Sequence, residues 1–303
     1  MLSERPSSRC GDCSVDLGTT LLSMEFQSGT ARHGDVEIHF ESLGDPDRPT
    51  LLLVNGLGSQ CVNYDTEWCG RFGDEGFRVI RFDNRDVGLS SKLDGGAYSL
   101  SDMADDAVAV LDEVGVSRAH AMGCSLGGMI VQRLAIDHPD RLLSVTSVMS
   151  RTGEPGYGDS SPAALELLLT PLPPSRADYI ERQVAALHVY GSKPEWLDDG
   201  EIRGRAGVAF DRCFCPAGVG RQMNAVLADG SRDEQLRNVS LPVLVLHGSR
   251  DTLIDPSGGR HTAEVIPGAR FVEIEGMGHD YPPAVWDRWV AVWSEFVRGV
   301  IPA

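Results

Sequence analysis

Short apolar runs rich in β-branched residues recur along the chain, at Val36–Glu41, Thr50–Val54, Phe77–Phe82, Arg118–Met122, Leu143–Met149, Pro242–His247 and Arg270–Ile274. Each has the length of a strand. Helical patterns lie between several of them. Met103, Ala107, Val110, Leu111 and Val114 fall on one helical face, and Gly115 stops that helix. Trp286, Trp289, Val290, Trp293, Phe296 and Val297 form a second stripe at helical spacing. Its simplest reading is a last helix packed on a sheet. Strands alternating with helices predict an α/β fold with a mostly parallel, doubly wound sheet covered on both faces.

The rhythm breaks once. From about Thr152 to Leu236 no strand pattern occurs, and Pro171, Pro173 and Pro174 punctuate helical patterns near Ala163–Leu169, Arg176–Tyr190, Gly200–Arg212 and Gly218–Leu227. This predicts a helical cap inserted at about 152–236 into a domain covering 23–303. Residues 1–22 are polar and read as a disordered N-terminal extension. No apolar h-region follows the charged start, so no secretory signal is expected. No window approaches 18 apolar residues, which argues against a spanning helix and integral membrane association.

Charge narrows the partners. The chain has 303 residues, with 27 Lys+Arg against 44 Asp+Glu and a formal net charge of −17. That balance argues against nucleic acid and anionic membrane surfaces, both of which need a basic patch. The seven cysteines (Cys10, Cys13, Cys61, Cys69, Cys124, Cys213 and Cys215) are odd in number and unevenly spread. They read as reduced thiols of a cytoplasmic protein. Cys10-Gly-Asp-Cys13 and Cys213-Phe-Cys215 suggest a four-thiolate zinc site only formally, since neither pair has His ligands at metal spacing. No metal and no cofactor are expected.

The strongest chemical signal is Gly123-Cys124-Ser125-Leu126-Gly127, set between the strand Arg118–Met122 and the apolar-periodic helix Met129–Ile136. This is the context of a nucleophile elbow, in which a tight strand–helix turn pushes the Ser125 hydroxyl out of the sheet. A serine hydroxyl needs a base. Of the eight histidines, His279 in Glu275-Gly-Met-Gly-His279-Asp280 lies between the last strand and the last helix, on the sheet edge where α/β ligands bind. His247, at a strand end, is the rival, with a structural role expected for it. The base needs an orienting carboxylate. Asp251 follows the strand Pro242–His247, and Asp255 is the alternative, expected instead to cap a turn with Pro256. The oxyanion hole requires two backbone N–H donors. Leu126 and Leu57, in Asn55-Gly56-Leu57-Gly58, are the candidates. Asp83 and Arg85 are expected to form a structural ion pair holding the loop with Gly88 and Ser90.

Together, Val54–Gly58, Phe82–Ser90, Gly123–Gly128, His247–Asp251 and Gly276–His279 make the chain resemble an α/β-hydrolase-fold serine hydrolase over nearly everything after residue 24. It looks most similar to small bacterial lipase/esterases and to methyl esterases acting on anthracycline antibiotics. It departs from many relatives in having Asn55 where they have His. The resemblance implies hydrolysis of a carboxylic ester, a small apolar molecule, through an acyl-enzyme. A thioesterase or phospholipase using the same triad is the nearest alternative, and a non-catalytic small-ligand binder is the alternative of another class. Ser125 argues against the epoxide hydrolases and dehalogenases of this fold, which carry Asp at the elbow.

Overall fold

The computed structural model describes residues 25–300, and the segment 1–22 read as an extension lies outside them. Strands β1 (Gln27–His33), β2 (Val36–Leu43), β3 (Thr50–Val54), β4 (Arg78–Phe82), β5 (Ala119–Cys124), β6 (Leu142–Val148), β7 (Val243–Gly248) and β8 (Arg270–Ile274) form one sheet. Its order is β1-β2-β4-β3-β5-β6-β7-β8. The first two strands form an antiparallel hairpin and β2 pairs antiparallel with β4, while β4, β3, β5, β6, β7 and β8 run parallel.

Period-2 alternation sends side chains to two cores. Leu51, Leu53, Met122, Leu244 and Leu246 face one layer, and Leu52, Val54, Ala121, Val243 and Val245 the other. Helices α1 (Thr66–Asp74) and α10 (Pro283–Arg298) cover the first face, and α2 (Leu100–Glu113), α3 (Leu126–Asp137) and α9 (Pro256–Val265) the second. The tryptophan stripe is core: Trp289 meets Trp68 edge-on at 5.6 Å and Trp293 meets Phe72 at 5.1 Å. Each such pair is worth about 1 kcal/mol beyond the area it buries.

The chain goes from β3 outward to β4, then crosses back to lay β5 on the other side of β3. The strand order therefore reverses between β3 and β5, and the crevice beyond their C-terminal ends is the place where open α/β sheets bind ligands. Between β6 and β7 run five helices: α4 (Pro162–Leu169), α5 (Arg176–Tyr190), α6 (Asp199–Arg212), α7 (Pro216–Asp229) and α8 (Asp233–Leu236). Among the described residues no helix is long and apolar enough to cross a membrane.

Candidate active site

The strand β5 ends at Cys124 and α3 begins at Leu126, leaving Ser125 alone in the turn with φ 57° and ψ −118°. A non-glycine residue there stores about 1–3 kcal/mol of strain. Its backbone is held by Ser125 N donating to Val148 O at 2.9 Å and by Ser150 Oγ, Gly128 N and Met129 N donating to Ser125 O at 2.8, 2.9 and 3.3 Å. The flanking glycines are sterically required. A Cβ on Gly123 would sit 2.0 Å from Gly127 O, and one on Gly127 would sit 2.0 Å from Val54 O. The elbow thus presses against the end of β3.

Asp251 hangs just past β7 with its carboxylate fully buried. Its Oδ2 lies 2.7 Å from His279 Nδ1, and its Oδ1 accepts from Leu253 N and Ile254 N, each at 2.9 Å. Burial alone would raise this carboxyl's pKa. The imidazoles of His279 and His247 outweigh that effect and hold it at about 2. Asp255 is exposed and caps α9 through Ser257 N at 2.9 Å, as expected of it. His247 donates no surface contact: it is fully buried, with Nε2 2.8 Å from Ile254 O and 3.3 Å from Asp251 Oδ2. Its contact with the carboxylate is a feature that the sequence reading missed.

The folded carboxyl sits near 2 against an ordinary 3.8, so it binds a proton less readily than in the unfolded chain. Its contribution, about 2 kcal/mol, is full above roughly pH 4 and lost as pH falls through about 2. Urea unfolding at a series of pH values should show the stability gap between the natural protein and Asp251→Asn closing across that window. A gap that is constant from pH 5 to 2 would refute the assignment.

The loop after β3 completes the crevice. A Cβ on Gly56 would lie 3.3 Å from Cys124 O and 3.4 Å from Ser125 Cβ, so this loop touches the elbow. Asn55, where many relatives have His, is buried. Its Nδ2 donates to Phe82 O at 3.0 Å, and Asn84 Nδ2 donates to Asn55 O at 3.0 Å, tying the loop to the end of β4. Among the described residues no backbone oxygen outside the regular elements takes the N–H of Leu57. Leu126 N–H, at the first turn of α3, has no intrahelical partner. No hydrogen bond joins Ser125 Oγ to His279 among the described residues. Such contacts often tighten only in the substrate complex.

The α5–α6 connection clamps the His279 loop. His279 N donates to Tyr190 O at 2.7 Å, Gly278 N donates to Ser192 Oγ at 3.0 Å, and Ser192 N donates to Asp280 Oδ1 at 2.8 Å. The Tyr190 ring stands edge-on to the imidazole at 6.0 Å.

The expected Asp83–Arg85 pair does not form. Asp83 accepts from Cys61 N at 2.6 Å, Leu89 N at 2.8 Å and Arg212 Nη1 at 2.7 Å, whereas Arg85 makes a two-pronged bond to Asp106 at 2.6 and 2.7 Å. Neighbours on a turn diverge, and each found its partner on a different helix, Asp83 on α6 and Arg85 on α2. Arg221 similarly grips Asp86 at 2.7 and 2.8 Å. The remaining histidines are away from the crevice: His33, His138, His188 and His261 pair with Asp106, Asp105, Asp199 and Asp233. His120 is buried beside Ser144 Oγ, and burial lowers its pKa to about 4. His39 lies on β2.

Cys10 and Cys13 lie outside the described residues, so the four-thiolate arrangement is not described. His39, Glu41 and Cys61 bring ligand atoms within 4.8 Å of one another. That cluster suits a cation poorly: Arg81 lies 2.6 Å from Glu41, Arg212 lies 3.3 Å from Cys61 Sγ, and burial pushes the Cys61 thiol well up. Burial likewise pushes the Cys69 and Cys124 thiols up to about 12, while Cys213 and Cys215 are half-buried and free.

Residues 49–199 match the alpha/beta hydrolase fold family. A rhodomycin D methylesterase from Streptomyces sp. strain C5 is 33% identical over 272 residues, covering 83% of this chain and 91% of that protein. One from Streptomyces peucetius is 34% identical over 274 residues, with the same coverage of 83% and 91%. An esterase structure from Rhodococcus sp. ECU1013 superposes with a TM-score of 0.74 at 22% identity, covering 91% of this chain and 99% of that one, a likeness of fold. With the elbow, the parallel sheet and this breadth of identity in place, the chain belongs to the alpha/beta hydrolase fold family.

Proposed function

We propose that this chain is a serine hydrolase that cleaves carboxylic esters, with Ser125 as nucleophile, His279 as proton carrier and Asp251 as its orienting carboxylate. One observation carries the residue assignment: the 2.7 Å bond from His279 Nδ1 to a fully buried carboxylate, on the sheet edge where Ser125 is held at positive φ. His279 Nε2 takes the Ser125 proton as Oγ attacks the ester carbonyl. Leu57 N–H and Leu126 N–H stabilise the oxyanion. Collapse of the tetrahedral intermediate expels the alcohol, which takes the proton from His279. A water activated by His279 then releases the acid and frees Ser125.

Helices α4 to α8 serve as a cap over Ser125. Two of their apolar residues, Leu165 and Leu169, are 43% and 66% exposed. Tyr179, Phe214, Leu172 and Val219 instead line a narrow slot of about 20 Å³ against Gly58 of the oxyanion loop. Similarity to the two methylesterases favours an ester with a small alcohol group. The cap arginines favour an uncharged substrate. Arg176 and Arg203 pair with Asp211 and Glu181, Arg182 donates to Leu167 O and Thr170 O, and Arg221 holds Asp86. These four are therefore engaged already and poorly placed to grip a phosphate; Arg205, a fifth, is exposed near Asp280 with no ion pair among the described residues, so these arginines offer a single cation rather than a cluster. Medium-chain p-nitrophenyl esters should show higher kcat/KM than the matching acyl-CoA series. A clear advantage for acyl-CoA would make the protein a thioesterase, and absence of any turnover would favour the binder.

A further inference from the structure

The turn that presents Leu57 N–H is gripped from the cap by one side chain. Gln222, on α7, is fully buried. Its Oε1 accepts from Gly58 N at 2.9 Å and its Nε2 donates to Arg85 O at 2.9 Å. Both ends of the amide are used, so its orientation is fixed: a flip would set donor against donor and acceptor against acceptor. Arg85 is itself anchored by its two bonds to the buried Asp106 on α2. The contact from Gly58 therefore leads into the rigid core.

Gly56 to Ser59 is a tight turn, closed by Ser59 N donating to Gly56 O at 3.1 Å, with Gly58 at φ +66°. Turns of this kind change type by flipping the central peptide, here Leu57–Gly58. Holding Gly58 N–H blocks that flip and keeps Leu57 in one backbone conformation. We infer that Gln222 is a positioning residue for the oxyanion hole, setting the turn that aims Leu57 N–H. This rests on the assignment of Leu57 and Ser125 above. It makes the cap part of the catalytic apparatus, since α7 supplies a bond that the core loop cannot make for itself.

A matched pair of inhibitors separates positioning from simple packing. An aryl trifluoromethyl ketone adds to Ser125 and places an oxyanion in the hole, whereas the matching methyl ketone binds as a planar ground-state analogue. Gln222→Met keeps the bulk and removes both bonds. It should weaken the trifluoromethyl ketone about 10- to 100-fold and lower kcat in parallel, leaving KM and the methyl ketone within about twofold. Arg221→Met is the contrast: it breaks a neighbouring bond between cap and core without touching Gly58, and should leave the ratio of the two inhibition constants at the wild-type value. Gln222→Glu in its protonated form keeps an acceptor for Gly58 N–H and an O–H donor for Arg85 O, and at a pH low enough to protonate it should restore the ratio to within about threefold of wild type. Gln222→Leu replaces the Met variant should that one not fold. A wild-type ratio in folded Gln222→Met or Gln222→Leu overturns the inference, as does an equal change in Arg221→Met. If the natural protein itself binds the two ketones equally, the serine-hydrolase assignment fails instead.

Discussion

Ser125→Ala is expected to lower kcat on a simple chromogenic ester by about 10⁴- to 10⁶-fold, the loss seen when a triad acting as a unit loses its nucleophile. The fold should survive. The replacement removes only a hydroxyl that makes no hydrogen bond among the described residues, and the backbone bonds to Val148 O and from Ser150 Oγ remain. The residual rate would come from substrate binding and from the Leu57 and Leu126 N–H groups. A fluorophosphonate probe should label the natural protein once, at Ser125, and the variant not at all. Labelling that survives in Ser125→Ala would move the nucleophile elsewhere. The thiols are poor rivals: Cys124 is adjacent but buried, with its proton held far more tightly than a free thiol's.

How far the sequence carries this reading depends on the range of each interaction. The strands β3 to β7 announce themselves as apolar runs because both of their faces are covered, while β8, at the far edge, is largely half-buried and shows only through Phe271, Val272 and Ile274. The edge strand β1 does not, since Gln27-Ser-Gly-Thr-Ala-Arg-His33 buries only Ala31 and is otherwise polar. Helices α1 and α9 are short, and α9 opens Pro256-Ser-Gly-Gly259, a composition that reads as loop. The elbow is local, so its glycines, serine and flanking elements stand together in the chain. Asp251 and His279 are 28 residues apart, yet each follows the C-terminal end of a strand, which suffices to bring them to one edge. The clamps on the crevice have no such trace. Arg212 reaches Asp83 across 129 positions and Gln222 reaches Gly58 across 164. No local periodicity marks a side chain whose partner is chosen by how a whole helical insertion docks. The same limit explains the Asp83–Arg85 error: adjacency in the chain suggested a pair, and tertiary packing supplied better partners.

Asp251→Asn is expected to cost about 10⁴-fold in kcat with little change in KM, and the hydrogen bonds around the carboxylate say why. Oδ1 takes two backbone donors, Leu253 N and Ile254 N, each at 2.9 Å. In the variant the amide oxygen must keep that place, because an NH₂ group there would face two N–H donors. The NH₂ then occupies the position of Oδ2, 2.7 Å from His279 Nδ1 and 3.3 Å from His247 Nε2. An imidazole facing that NH₂ presents an unprotonated Nδ1, which leaves its one proton on Nε2. Nε2–H cannot accept the Ser125 proton, so the base is lost by tautomer rather than by displacement. The developing imidazolium also loses the buried charge beside it. Asp255→Asn is the control: Asp255 caps α9 on the surface, Asn can accept from Ser257 N in its place, and the change should cost at most about a few tenths of a kcal/mol of stability and leave kcat intact. Steady-state kinetics on both variants decide the matter. Full activity in Asp251→Asn together with a collapse in Asp255→Asn would reverse the assignment of the carboxylate.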